Sequence, residues 1–290
     1  MPTWRFDAIG TLWEIETGDP LGSGERTRVA GIIEGFDRTW SRFRADSLVT
    51  QLAGGGGSAS VPADADAMLS AYREMFAATR GAVNPLIGES LSTLGYDADY
   101  SLRAGEPVPA PAAWDSILTW DEEQLALASA TLIDVGALGK GRLVDLVAAA
   151  LADVDLVVDA GGDILVRGET RIGLEHPFDP SKAIGVATIR DQALCASATN
   201  RRAWGDGLHH VLDARTGIPV RTWAATWAFA ADTMHADAVA TALFFDGGPE
   251  LAERWSVEWV RMSTDGVAQR SANAPVELFT AGGTTRVRRG

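Results

Sequence analysis

Lys140 is one of only two lysines in the chain, and it sits among loop glycines at Gly136, Gly139 and Gly141. Three glycines in six residues let a backbone turn sharply and lie close to a ligand. A helix opening just after them offers free N–H groups and the positive end of its dipole. A cation in that setting suits an anionic ligand. The same glycines also suit an ordinary turn. The spacing is not a Walker loop, which needs four residues between its first glycine and Gly-Lys, and no GxGxxG fingerprint occurs. Asp237 and Thr241 stand four apart on an expected helix and so share a face. A carboxylate and a hydroxyl at that spacing can offer oxygens to a hard cation, or can be a helix-end acid and a threonine bonded to its own backbone. His209 and His210 are adjacent on an expected strand, so at most one faces a given site. Asp213, Arg215 and Thr216 follow them. The pair lacks zinc-binding spacing.

The element that must position Lys140 runs from Thr131 to Gly168. It reads as strand (Leu132 to Val135), glycine loop, a helix through Leu143, Leu146, Val147, Ala150 and Leu151 that ends near Asp153, then two strands about Gly161-Gly162. Before it, Trp4 to Glu16 reads as a strand interrupted at Gly10-Thr11. Arg28 to Arg42 and Asp64 to Ala78 read as amphipathic helices. Gly54 to Gly57 reads as a mobile loop, Gly81 to Pro85 as a turn into a short helix, and Trp114 to Ala128 as a strand or two. After it, Thr170 to Glu175 and Ile184 to Arg190 alternate as strands, and His209 to Asp213 reads as a strand ending in a turn. Trp223, Ala225, Trp227 and Phe229 give a period of two. Asp237 to Phe245 reads as a helix, with final strands at Trp255 to Met262 and Pro275 to Thr280. Strands and helices mix without regular βαβ alternation, which points to an α+β fold.

The formal net charge of −14 argues against nucleic acid as a partner, because phosphate neutralisation needs a basic face. It also disfavours an anionic membrane surface. No window approaches the ~18 apolar residues of a spanning helix, and the first residues carry no secretory pattern. The single Cys195 can form neither an internal disulfide nor a thiol metal cluster. The expectation from these features is a soluble, cytoplasmic protein with no membrane insertion.

Seven segments, in order, resemble the ApbE family of FAD:protein FMN transferases. Phe6 to Thr11 resembles F-x-A-M-G-T, and Ser41 to Ser47 resembles S-x-F/Y-x-x-x-S. Gly81 to Pro85 is similar to G-A-F-D-P, with Asn84 where the family has Asp. Asp134 to Gly141 resembles D-L-G-G/A-I-A-K-G. Asp159 to Ile164 resembles N-x-G-G-D-I, His210 to Pro219 resembles H-I-L-D-P-R-T-G-x-P, and Ala236 to Ala242 resembles A-D-A-L-A-T-A. The departures are Ile9 for Met, Asn84 for Asp, Ala214 for Pro, and Ser197 to Asn200 where T-S-G-N is usual.

The resemblance implies one integrated α+β unit over residues 1–290 with a T-fold-like core of mixed strands and packed helices. It implies that FMN is moved from FAD to a Thr or Ser of an acceptor protein, with Mg²⁺ as cofactor and release of AMP. By resemblance, Ala137, Asp237 and Thr241 hold the metal. Asp134 and Lys140 hold FAD. Ile9, Phe43, Ala82, Val83 and Asn84 contact its flavin or adenine end, and Val211 offers backbone contacts. His210 is the candidate for taking the acceptor hydroxyl proton, and with Asp237 it makes up the expected catalytic pair. A hydrolase splitting FAD into FMN and AMP, or a protein that binds FAD without reaction, remains open on the same residues.

Overall fold

A computed structural model describes residues 1–151, 155–205, 207–279 and 287–289. Its main sheet has nine strands among the described residues. In spatial order they are Thr3–Ala8, Thr11–Thr17, Leu156–Ala160, Asp163–Val166, Ala193–Ala198, Trp223–Ala230, Glu258–Ser263, Ala268–Arg270 and Val287–Arg289. Neighbours pair antiparallel except the last two strands, which pair parallel. The eight helices among the described residues are α1 (Ser23–Trp40), α2 (Leu48–Ala53), α3 (Ala65–Ala78), α4 (Gly88–Thr93), α5 (Trp114–Ile117), α6 (Gly139–Ala150), α7 (Thr233–Ala242) and α8 (Gly248–Arg254). The fold is α+β, as the irregular order of elements implies.

The period of two in the central strands divides the core into two layers. In Ala193–Ala198, Ala193 and Cys195 face the helix layer with Ala236, Val239 and Ala240 of α7. Leu194 faces the other side, with Ala225, Trp227 and Phe229. There it meets Leu174, Ile189 and Val276 of a separate three-stranded sheet, Glu169–His176, Asp179–Arg190 and Val276–Leu278. A helix layer of α1, α6 and α7 therefore covers one face and a small sheet covers the other. On the helix side, Val29 and Ile33 of α1 and Leu143, Val144 and Val147 of α6 pack on Trp13, Ile15 and Val158. A further core joins α2, α3 and α7 around Tyr72, Met75 and Ala238.

Several boundaries differ from expectation, each for a local reason. Leu132 to Val135 lies outside every sheet among the described residues. It is buried at Ile133 and Val135, and the Pro85 carbonyl beside it accepts from Asp134 N at 2.8 Å. An apolar run buried outside a sheet has the same sequence pattern as a buried strand. α7 starts at Thr233, not Asp237, because Asp232 caps it: the Asp232 carboxylate accepts from His235 N at 2.9 Å. α1 starts at Ser23, with Glu25 Oε2 accepting from Gly22 N at 2.7 Å. His209 to Asp213 breaks into two short strands, Leu208–His209 and Leu212–Asp213, where Val211 N donates back to His209 Nδ1 at 3.3 Å. Gly57 opens a strand, Gly57–Ser60, that pairs with Gln124–Leu127. Trp114 to Ala128 begins with the helical turn α5. The expected end of α6 near Asp153 and the last residue of the Pro275 to Thr280 strand lie outside the described residues.

α6 and α7 touch at Gly141. A Cβ built there would come 2.3 Å from the Thr233 carbonyl oxygen and 2.8 Å from Asp237 Cβ. Glycine is thus required by close approach, and Gly141→Ala should destabilise the protein by ~1–3 kcal/mol as an overpacked contact. Gly31 on α1 has nothing within 4 Å of such a Cβ, so Gly31→Ala should be neutral or slightly stabilising. Chemical denaturation of the two variants checks the contrast.

Candidate active site

The glycine loop delivers its groups to the point where α6 meets α7. The N–H of Gly141, in the first turn of α6, donates to Asp237 Oδ2 at 3.0 Å. Asp237 and Thr241 are one turn apart on α7, and both line a cavity of about 180 Å³. Ala137, Lys140, His210 and Val211 line it as well, with Asp134, Phe43, Ala82, Val83 and Asn84. Ile9 lines a neighbouring pocket of about 350 Å³ that shares Phe43, Tyr96, Asp134, Gly136, Lys140 and Arg202 with the first. Residues from all seven motif segments, Gly161 among them, are therefore gathered in two adjoining hollows.

Four residues were not singled out from the sequence. Arg42, with a side chain 2% exposed, donates through Nε to Asp134 Oδ2 at 2.5 Å. Its guanidinium lies 4.2 Å from the Phe43 ring centroid and 5.0 Å from that of Tyr96. Tyr72 of α3 donates to the Asp134 carbonyl at 3.0 Å and accepts from Ala137 N at 3.3 Å. That pins both ends of the loop segment carrying Ala137. Asp163 pairs with Lys140. Arg202 lies near Tyr96 and lines both hollows. The available signals were weak: Arg42 and Asp163 fall inside the motifs quoted above, but their partners are far along the chain.

Burial shapes the charges. Asp237 is pushed up to about 8, first by burial and then by the nearby Asp163 charge, with Lys140 acting against both. Lys140 is raised despite burial because Asp163 and Asp237 hold its ammonium. His210 falls to about 3, through burial first and the Arg202 charge next. Its imidazole is therefore neutral at physiological pH, and its buried Nδ1 has no partner. Its neighbour His209 is tied to the Val220 carbonyl at 2.8 Å, so only one of the two faces the cavity. Lys182 is 69% exposed and pairs with Asp179, so the two lysines have unlike settings.

The aromatic wall offers flat faces. Phe43 and Tyr100 stack with centroids 5.2 Å apart, and Tyr96 stacks on Trp204 at 5.7 Å. Anionic and ring-recognising groups therefore lie side by side. The donor set also suits a small hard cation: a carboxylate, a hydroxyl and a loop carbonyl border one cavity, and the buried Asp163 Oδ1 lacks a partner. A larger cavity of about 560 Å³ lies between Arg142, Asp145, Asp232 and His235. Its carboxylates already serve the start of α7, since Asp145 accepts from Thr233 N and Met234 N. The smaller cavity is bordered by His210, whose buried Nδ1 has no partner.

Residues 9–260 match the family model described as the ApbE family. The chain belongs to the ApbE family. It is similar to an FAD:protein FMN transferase of Rhodobacter capsulatus, 27% identical over 289 residues that cover 90% of this chain and 55% of that protein. It is 36% identical over 95 residues to an FAD:protein FMN transferase of Klebsiella pneumoniae, covering 30% of each. The chain thus spans about half, or less, of the curated relatives it matches. Its fold is that of an ApbE protein of Thermotoga maritima (TM-score 0.79, 20% identity, 93% and 97% of the two chains). It is also that of flavin transferase ApbE from Vibrio cholerae (TM-score 0.74, 18% identity, 96% of each). An apo flavinyl transferase ApbE of Pseudomonas stutzeri matches at TM-score 0.76 and 22% identity, over 93% and 94%.

Asn84, where the ApbE motif has Asp, has both its polar atoms in use. Nδ2 donates to the Pro111 carbonyl at 2.9 Å, and Oδ1 accepts from Leu86 N at 2.9 Å. A carboxylate would set an oxygen against the Pro111 carbonyl. Asn84→Asp should therefore cost ~1–3 kcal/mol, read as a lower thermal midpoint at pH 7.

His210 supplies a pH test. A histidine held neutral in the fold but free to protonate when unfolded makes the unfolded state bind more protons between its unfolded value near 6.5 and its folded value near 3. Its contribution to stability is present above pH ~6.5 and lost as pH falls towards 3. His210→Asn should flatten that acid-side loss in urea melts across the same window.

Proposed function

We propose that this chain is an FAD:protein FMN transferase that moves FMN from FAD to a Thr or Ser hydroxyl of an acceptor protein, with Mg²⁺, and releases AMP. The observation that carries this reading is the convergence of Lys140, Asp237, Thr241, Ala137 and His210 on one cavity beside an aromatic wall. The names of the Rhodobacter and Klebsiella relatives support it.

In this reading the acceptor hydroxyl attacks the phosphorus on the FMN side of the pyrophosphate. A new P–O bond forms, the P–O bond to AMP breaks, and the hydroxyl loses its proton. Mg²⁺, held by Asp237, Thr241 and the Ala137 carbonyl, would neutralise charge building on the phosphoryl oxygens. Lys140 grips the pyrophosphate as a charge-assisted donor. Asp134, fixed by Arg42 and by Gly136 N at 2.7 Å, sets the shape of the loop under the ligand. Phe43, Ile9 and the Ala82–Asn84 turn border the space for a flat ring. His210, neutral and unpartnered at Nδ1, receives the hydroxyl proton. An anionic ligand beside it would raise its basicity from the resting value by offsetting Arg202.

The test is AMP release and acceptor mass after incubation with FAD, Mg²⁺ and a Thr-bearing acceptor. Asp237→Ala should slow transfer at least ~100-fold, since metal charge stabilisation is worth several kcal/mol. Thr241→Ala should be milder, and excess Mg²⁺ should rescue it better than the Asp variant. Circular dichroism confirms that both are folded. An unchanged Mg²⁺ dependence in Asp237→Ala would overturn the metal assignment. AMP without a flavinylated acceptor would identify hydrolysis instead.

A further inference from the structure

Lys140 does not point freely into the cavity. It is tied to Asp163, a residue to which the reaction above gives no part. Asp163 opens the strand Asp163–Val166 directly after the Gly161-Gly162 turn, opposite Cys195 in the register. Its side chain is 1% exposed. Oδ2 accepts from Lys140 Nζ, and Oδ1 is buried without a partner. Asp237 lies close enough to feel the Asp163 charge, and both carboxylates act on the one ammonium. Two buried carboxylates thus share a single positive charge. Asp163 therefore offers one bare oxygen beside the ammonium that it already holds.

Lysine suits a movable counter-charge. Its ammonium is a compact point charge on a flexible four-carbon stem. Gly139 is buried against Val135 and Gly141 against Thr233 and Asp237 of α7, so the backbone beneath Lys140 is fixed.

We propose that the Lys140 ammonium is the resident cation of the Asp163–Asp237 pair. A divalent cation and Lys140 then compete for the same carboxylates, and an anionic pyrophosphate relieves the competition by drawing Lys140 off Asp163. Asp163 is a positioning residue: it acts through Lys140, by parking it. Metal and pyrophosphate consequently bind with positive coupling, each favouring the arrangement the other needs. The role of pyrophosphate rests on the proposed function, whereas the competition is a property of the chain and the metal alone.

The experiment is therefore done without nucleotide, using Mn²⁺ alone as probe and electron paramagnetic resonance to count free ion. Lys140→Met should bind Mn²⁺ at least ~10-fold more tightly than the unsubstituted chain, because its competitor is gone. Lys140→Gln, similar in length and more soluble, carries the same expectation if the Met variant does not fold. Asp163→Asn should bind Mn²⁺ at least ~10-fold more weakly, since Lys140 then turns fully to Asp237. If Asp163 merely neutralised a buried lysine, Asp163→Asn would lower the thermal midpoint and leave Mn²⁺ affinity alone. Folded Lys140 variants that bind Mn²⁺ no more tightly would overturn the competition. A chain that failed to bind FAD yet showed the expected Mn²⁺ series would lose the proposed function and keep this inference.

Discussion

The hydrogen bond from Gly141 N to Asp237 Oδ2 fixes the start of α6 against the middle of α7. Gly141 has no side chain because Thr233 and Asp237 fill the space a Cβ would need. Once those helices are in register, Lys140 and Asp237 must share a cavity, and Thr241 follows one turn later. The main sheet supports the contact: α7 packs on Ala193, Cys195 and Ala228, and α6 on Val158. The site is thus made by helix packing on a sheet rather than by a single loop.

The chain is strongly acidic as a whole, yet arginines and a lysine gather at the cavity. Arg42, Lys140, Arg201 and Arg202 all border the two hollows. Arg42 is held by the partly buried Asp134 and Lys140 by the buried Asp163, which offsets a desolvation cost of several kcal/mol per ion. The local field therefore differs from the net charge. Acidic composition speaks against a polyanion spread over the surface, but not against a small anion in a cavity lined by cations.

Elements held by their own periodicity were legible in the sequence. The helix α3, the turn at Gly161-Gly162 and the alternating Trp223 to Phe229 strand stand where the pattern put them, the strand interrupted at Gly10-Thr11 is a hairpin, and α1 is present but begins five residues earlier than its apolar spacing signals. Leu132 to Val135 did not, because the pattern reports burial and not the partner that does the burying. The start of α7 was signalled by the cap Asp232, which apolar spacing does not register. The lysine between glycines and the Asp237–Thr241 spacing drew attention by rarity and helical geometry. Arg42, Tyr72 and Asp163 went unremarked because their meaning lies in contacts 92, 62 and 23 residues away. Only the folded chain brings those together.

On the proposed function, the cavity's cations, its oxygen donors and its aromatic wall would take a flavin dinucleotide by its anionic centre and its rings. Calorimetric titration with FAD and with FMN, each with Mg²⁺ present, tests this most directly. The account expects saturable binding of one FAD per chain and weaker binding of FMN, because the AMP half supplies part of the contact. No FAD binding, or FMN bound as tightly as FAD, would contradict it.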